Sequence, residues 1–235
     1  MKNSYFIPAI LVATGLILAG YFIGNMHKIG KQYDRYVEVK GLSEREVEAD
    51  LAVWPMNITL TGNDLGTLKN EIEDQMEEVY DFFTKQGFSK EEIIRGSTNI
   101  TDAKANIYNN NRYSEFRYLA KADLTIRTED IPKLQKALAG SMDLMSEGIL
   151  LGSKNDWRPV EYIFTGLNDL KPSMIEEATK NAREVAEKFA KDSNSKVGKI
   201  RLARQGLFTI NDRDPNTPEI KKVRVVSTID FQLED

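Results

Sequence analysis

The sequence predicts an α+β protein. Largely antiparallel sheets run in the order ββ-α-ββ-α-ββ-α-ββ, with helices packed on one face and an N-terminal transmembrane helix in front. Three observations predict it. Apolar residues alternate at period two in paired stretches, the spacing of half-buried strands. Single stretches at helical spacing separate those pairs. Residues 3–26 carry no charge and are mostly apolar or small.

That first segment follows Lys2 and reads FIPAILVATGLILAGYFIGNM from Phe6 to Met26. About 20 apolar residues suffice to cross a bilayer as a helix. Residues 1–26 are therefore expected to be a signal anchor or signal peptide, engaging the membrane through residues 5–24. No clean small-x-small exit follows the run, since Ala19-Gly20 is succeeded by Tyr21, Phe22 and Ile23. The uncleaved anchor is the favoured form. Lys28, Lys31 and Arg35 follow the segment, and such flanking cations oppose an outside C-terminus. Residues 27–35 read as a short polar linker, and 36–235 as the α+β domain.

The domain opens with Val37 and Val39 alternating with charged residues, up to a turn expected at Gly41-Leu42-Ser43. Val47, Ala49, Leu51 and Val53 then hold odd positions, whereas Met56, Ile58 and Leu60 hold even ones. A one-residue slip across Trp54-Pro55 predicts a β-bulge or bend, with Pro55 at the bulge or on an edge. Asp64 is placed to cap a helix carrying Leu65, Leu68, Ile72, Met76, Val79 and Phe83 on one stripe, ended by Gly87. Strands are expected over 93–108 and 113–128 around Asn109-Asn110-Asn111. The second points Phe116, Tyr118, Ala120, Ala122, Leu124 and Ile126 one way.

Asp130 and Pro132 start the next helix, with Leu134, Leu138 and Met142 or Met145 on its buried side before Gly148. Two strands, 149–156 and 158–167, lead to the longest amphipathic stretch of the domain. There Ala178, Ala182, Ala186 and Ala190 recur every fourth residue beside Val185 and Phe189, before a glycine stop at Gly198. Small side chains on one stripe let a helix backbone lie close against a sheet. Glu176–Lys180, Glu184–Lys188 and Glu187–Lys191 mark its wet face. Strands near 199–210 and 221–233 close the chain, the last alternating Val223, Val225, Ile229, Phe231 and Leu233, with a turn-rich loop at 211–218.

The composition excludes several kinds of chemistry. A net charge of -4 with interspersed signs opposes a nucleic-acid footprint. The absence of cysteine removes disulfides, thiolate catalysis and lipoprotein acylation. The only histidine is His27, with nothing nearby to build a triad or metal cluster. GNMHKIGK at 24–31 has the wrong spacing for a phosphate loop, Gln32 replaces the required hydroxyl, and no strand precedes it. Asp212, Asp214 and Glu219 lack the glycine and spacing of a calcium hand and read better as turn residues. Glu44, Glu46, Glu48 and Asp50 alternate as a solvated strand face, and Tyr108, Tyr113, Tyr118 and Trp157 as packed aromatics. No catalytic, cofactor-binding or metal-ligating residue is assigned, so no cofactor is expected and the protein is read as not an enzyme.

The run RYVEVKGLSEREVEADLAVWPMNITL resembles the opening of the SIMPL-domain family, where a V-x-G segment leads into a proline-bearing strand. The likeness continues in Gly87-Phe88-Ser89-Lys90-Glu91-Glu92-Ile93, a tyrosine-bearing hairpin, and the alanine helix from Ala178 toward Gly198. It covers about residues 36–234. The family often carries Pro-Asp in its second strand, where this chain has Pro55-Met56, so no role is carried over for that acid.

The resemblance implies an exported, envelope-associated α+β protein of a family with links to stress tolerance and, in an animal relative, to kinase signalling. It implies the C-terminal domain in the periplasm or outside the cytoplasmic membrane, or secretion to the periplasm after cleavage. It also implies a homo-oligomer, since some members form large assemblies. The expected function is a non-enzymatic, membrane-anchored envelope protein whose extracytoplasmic domain self-associates. The alternative is a monomeric module holding a peptide or partner protein along an exposed strand edge near Trp54-Pro55.

Overall fold

The computed structural model describes residues 6–33, 35–105, 115–153 and 159–234, with side chains in the first stretch described at 10–24 and 26. The expected hairpin tip at 109–111, Tyr108, Tyr113, Trp157 and the side chain of His27 lie outside these residues. Two antiparallel sheets together with helices make a mixed α and β chain that divides into two compact units.

The first unit comprises residues 1–45, 169–210 and 223–235. Helix α1 (Phe6–Tyr33) runs on through most of the stretch read as a linker. Among the described residues no helix is long and apolar enough to cross a membrane, so the structure does not show the span expected over residues 5–24.

The unit's sheet has the order β1 (Tyr36–Glu48), β9 (Ile220–Glu234), β7 (Lys196–Gln205), and β8 (Thr209–Asp212) also pairs with β9. Helix α5 (Leu167–Asp192) supplies the alanine stripe. Ala178, Ala182 and Ala186 are wholly buried, the last two packed with Val39, Ile229 and Phe231. Phe189, expected beside that stripe, is 56% exposed. The helix ends at Asp192, and Asn194 takes the left-handed conformation at φ 53°. Gly198, expected as the stop, lies inside β7.

Gly41 corrects the turn expected there, because β1 runs straight through it. A Cβ at Gly41 would lie 1.8 Å from the Ala178 carbonyl oxygen, so the glycine serves close approach of strand to helix. Beside it the Ser43 hydroxyl donates to Glu177 at 2.9 Å. The Arg45 guanidinium donates to Ser173 at 2.9 Å and to Glu177 at 3.3 Å.

The second unit comprises residues 46–168 and 211–222. Its sheet has the order β3 (Ile93–Asp102), β4 (Tyr118–Thr128), β2 (Leu51–Gly62), β5 (Leu151–Ser153), and β6 (Glu161–Ile163) pairs with β2 as well. Helix α2 (Leu65–Lys85) buries Leu68, Ile72, Met76, Val79 and Phe83 as its spacing predicts, while Leu65, before the first full turn, is 48% exposed. Asp64 accepts from the Thr67 amide at 2.8 Å, and Gly87 at φ +91° ends the helix.

Asp130 caps α3 (Ile131–Gly140) through the Lys133 amide at 2.9 Å. Leu134, Ala137 and, from the short helix α4 (Met142–Ser146), Leu144 fill the positions expected of Met142 and Met145. Those two methionines are 65% and 52% exposed. On β4, residues 120 to 126 alternate inward as read, but Phe116 precedes the strand and is 40% exposed.

The bulge expected at Trp54-Pro55 is absent, because β2 pairs with β4 in one unbroken register from Ala52↔Thr128 to Gly62↔Tyr118. Ala52, Trp54, Met56 and Ile58 all face the core, so the odd-to-even switch falls at the β1–β2 turn instead. Pro55 is tolerated in this interior strand for a different reason. On the other side of β2, β6 covers Leu51 to Val53 and β5 covers Met56 to Ile58. Trp54 and Pro55 fall in the gap, where no ladder bond requires the missing proline N–H.

Candidate functional site

Beside that gap the second unit opens into a cavity of about 460 Å³ lined by Pro55, Val160, Glu161, Tyr162, Asp212, Pro218 and Lys221. A neighbouring cavity of about 440 Å³ shares Val160, Tyr162, Asp212 and Pro218 and adds Leu138, Pro159 and Pro215. Together they form a groove. Strand β6 positions Tyr162 opposite Ala52, and β8 and β9 bring Asp212 and Lys221 side by side.

The polar centre of the groove is the Lys221–Asp212 ion pair, whose side chains are only 9% and 16% exposed. A buried ammonium needs such a partner. The Lys221 ammonium donates directly into the Asp212 carboxylate, so the pair neutralises itself. Tyr162 is half-buried. Burial and then the nearby Glu219 carboxylate push its phenol up from the ordinary value, against a hydrogen bond with Gln135. Among the described lining residues there is no histidine and no serine or threonine hydroxyl beside a base. The groove is equipped to bind by shape, with a phenol and a neutralised ion pair to orient an occupant.

The three acids weighed for a cation are drawn apart. Asp212 goes to Lys221. Asp214 accepts from the Asn216 and Thr217 amides at 2.9 and 3.0 Å and from Arg213 Nε at 3.1 Å, and takes the Thr217 hydroxyl as well. The Thr217 and Arg213 hydrogen bonds hold its carboxyl down at about 2. This is the turn role read from the sequence. Glu219 lines a separate cavity of about 340 Å³ with Glu48 and Glu129. Among the described residues no three acidic, histidine or cysteine side chains are grouped to hold a metal ion.

The acidic row of β1 also divides. Glu46 lies 3.5 Å from Arg213 and Glu44 4.0 Å from Arg224, but Asp50 leaves the row. Its carboxylate accepts from the Thr165 amide at 2.7 Å, the Thr165 hydroxyl at 3.0 Å and the Gly166 amide at 3.0 Å, just before α5 begins. Tyr118 is packed against the core as expected. The groove itself was missed by sequence reasoning. Its residues come from positions 55, 138, 159–162 and 212–221, and no local spacing joins them. The one signal present was Pro55 inside an otherwise regular strand.

Two antiparallel sheets, an alanine-striped helix against one of them and a proline-lined groove beside the other define an α+β architecture. Residues 37–229 match the SIMPL family model, described as a protein of unknown function (DUF541), and the chain belongs to that family. No curated protein matches the chain.

Proposed function

We propose that the chain is a non-enzymatic envelope protein, anchored in the cytoplasmic membrane by α1, whose α+β domain lies outside the cytoplasm and self-associates. The observation that carries this reading is the exposure of α1. Ile10, Leu11, Val12, Leu16, Ile17, Leu18, Phe22 and Ile23 are each more than half exposed. Uncovered apolar area costs roughly 25 cal/mol per Å² in water, and lipid removes that cost. The helix has 28 residues and so spans about 42 Å, beyond the ~30 Å of a hydrocarbon core. The sequence stays apolar upstream through Phe6 and Ile7, so the uncharged run exceeds the stretch whose side chains are described. Self-association draws on Leu202 and Leu207, 44% and 90% exposed in and after the outer strand β7.

Protease added to intact spheroplasts tests the location, and the mass of the detergent-solubilised full chain by light scattering tests assembly. The reading expects cleavage of residues 36–235 without lysis, and a discrete oligomer. Cleavage only after lysis overturns the location, and a monomer overturns the assembly.

The groove favours a second reading, a monomeric module that holds a partner protein or peptide. The strand edge expected near Trp54-Pro55 is reduced to the short gap between β5 and β6, so the occupant is held by the groove walls more than by added ladder bonds. Under this reading a Tyr162→Ala chain, still folded, loses a partner captured by the unchanged protein. Unaltered capture sinks it.

A further inference from the structure

We infer that the outer edge of β3 pairs with β3 of a second copy, two-fold and antiparallel, so that the second unit's sheet continues from one chain into the next. This contact rests on the self-association reading and adds a strand edge to the surface drawn from Leu202 and Leu207.

Strand β3 closes one end of its sheet. It is bonded to β4 on one side, and among the described residues no strand pairs with the other. The Ala103 amide donates to the Arg117 carbonyl at 2.8 Å, so Thr101 and Asn99, in step with Ala103, turn their backbone groups toward β4. Asp102, Ile100 and Thr98 turn theirs to the open side. The Arg127 amide donates to the Glu92 carbonyl at 2.9 Å, and the same alternation turns Arg95 outward as well. An open row of N–H and C=O groups is a template for a further strand.

The other sheet edges are blunted. Strand β7 carries Lys196, Lys199, Arg201 and Arg204 with no acid, and it shifts register twice against β9. Pairing β7 with its own copy brings cations beside cations. On β1 the Leu42 carbonyl already accepts the Asn181 side-chain amide at 2.8 Å. Strands β5, β6 and β8 have only three or four residues each. Strand β3 has ten, exposed at every position from Ile94 to Asn99, and Gly96 to Thr101 carry neither charge nor proline.

Charge complementarity selects a second copy as the occupant and fixes the register. Arg95 and Asp102 are the only charged residues of β3, opposite in sign and toward opposite ends. Arg95 pairs with Leu124 and Thr98 with Ala122, so Gly96 and Ser97 bulge opposite a single residue of β4. Counted in ladder steps, Arg95 and Asp102 therefore each lie three from Asn99. A two-fold axis at Asn99 sets Arg95 against the second copy's Asp102 at both ends of the contact, and Thr98 against its Ile100. Moving the axis to Ile100 turns Arg95 toward Lys104, a like charge, and moving it to Thr98 gives Asp102 only Ile93. Within one chain Arg95 meets Glu77 at 2.7 Å and Asp102 meets Arg117 at 3.1 Å, in pairs open enough to solvent to admit a further partner. Such exposed charges select the register, and the ladder bonds supply the hold.

The chain has no cysteine, so a single introduced thiol reports its own position. In this register Asn99 faces its copy as a non-hydrogen-bonded pair, with about 4.5 Å between Cα atoms, inside the disulfide range. Ser97 and Thr101 lie about 13 Å or more from their copies, outside it. Full-length Ser97→Cys, Asn99→Cys and Thr101→Cys chains in detergent are treated with diamide and run on non-reducing gels. Light scattering of the unchanged, Thr98→Pro and Thr98→Val chains reads assembly separately. Because Thr98 turns its N–H outward, proline there leaves the ladder to β4 intact and blocks only the incoming strand.

The expected result is a covalent dimer from Asn99→Cys at several-fold the yield of the other two, and a particle mass at least halved by Thr98→Pro but not by Thr98→Val. Equal or absent cross-linking at all three positions, in a chain that still assembles, overturns the inference and leaves self-association standing. An assembly whose mass Thr98→Pro leaves unchanged does the same. An unchanged chain that is a monomer overturns both together.

Discussion

Gly41 of β1 and Ala178 of α5 are packed so closely that a Cβ on the glycine would stand 1.8 Å from the alanine carbonyl oxygen and 2.7 Å from the Ala182 nitrogen. Each residue needs the other to be small. The alanine stripe lowers the helix toward the sheet, and the glycine gives the strand room to receive it.

Gly41→Ala is expected to destabilise the first unit by about 3 kcal/mol or more, at or beyond the upper range for overpacking, because the blocking atoms are backbone. Chemical denaturation of the purified chain checks this. Phe189→Ala, at an exposed position on the same helix, is expected to change stability by less than about 0.5 kcal/mol.

Glu92 predicts an acid transition in the second unit. Its burial raises the carboxyl, but the Lys133 ammonium at 2.8 and 2.9 Å, the Thr128 hydroxyl and the Ser89 amide at 2.8 Å outweigh it and lower the pKa from 4.5 to about 2. A depressed pKa stabilises the fold fully above about 4.5, and that contribution is lost as the pH falls from there toward 2. The full loss is on the order of 3 kcal/mol, with the side chain 22% exposed. Denaturation between about pH 6 and about pH 2 should show a steeper fall for the unchanged protein than for Glu92→Gln.

The buried pair in the groove predicts a sign reversal. Lys221→Met removes the ammonium that donates to the Asp212 carboxylate, a group only 16% exposed, and is expected to cost about 3–5 kcal/mol. Adding Asp212→Leu removes the carboxylate as well and is expected to recover most of that loss. Equal stability of the single and double variants in urea contradicts the account.

Asp50 predicts a local effect on the lead-in to α5. Asp50→Ala removes the acceptor for Thr165 and Gly166 and is expected to cost about 1.5–3 kcal/mol, with faster amide exchange at those two residues. Unchanged exchange there argues against the role.

The sequence showed most clearly what local spacing encodes. The stripe from Leu68 to Phe83, the caps at Asp64 and Asp130, the alanine helix and the alternation of Val223 to Phe231 all follow from neighbours in the chain. Glycine was the least readable residue. Gly41 reads as a turn because its role depends on Ala178, far along the sequence, and Gly198 reads as the helix stop that Asn194 provides instead. The groove was illegible for the same reason. Strands β5 and β6 have three residues each, too few for a period to register, and they place Tyr162 against β2 and leave the gap at Pro55.

The central claim is that α1 holds the protein in a bilayer, and alkaline carbonate extraction of membranes carrying the full chain tests it most directly. The account predicts that the protein stays in the membrane pellet, and that Leu16→Arg/Ile17→Arg moves it to the soluble fraction. Release of the unchanged protein by carbonate would contradict the claim.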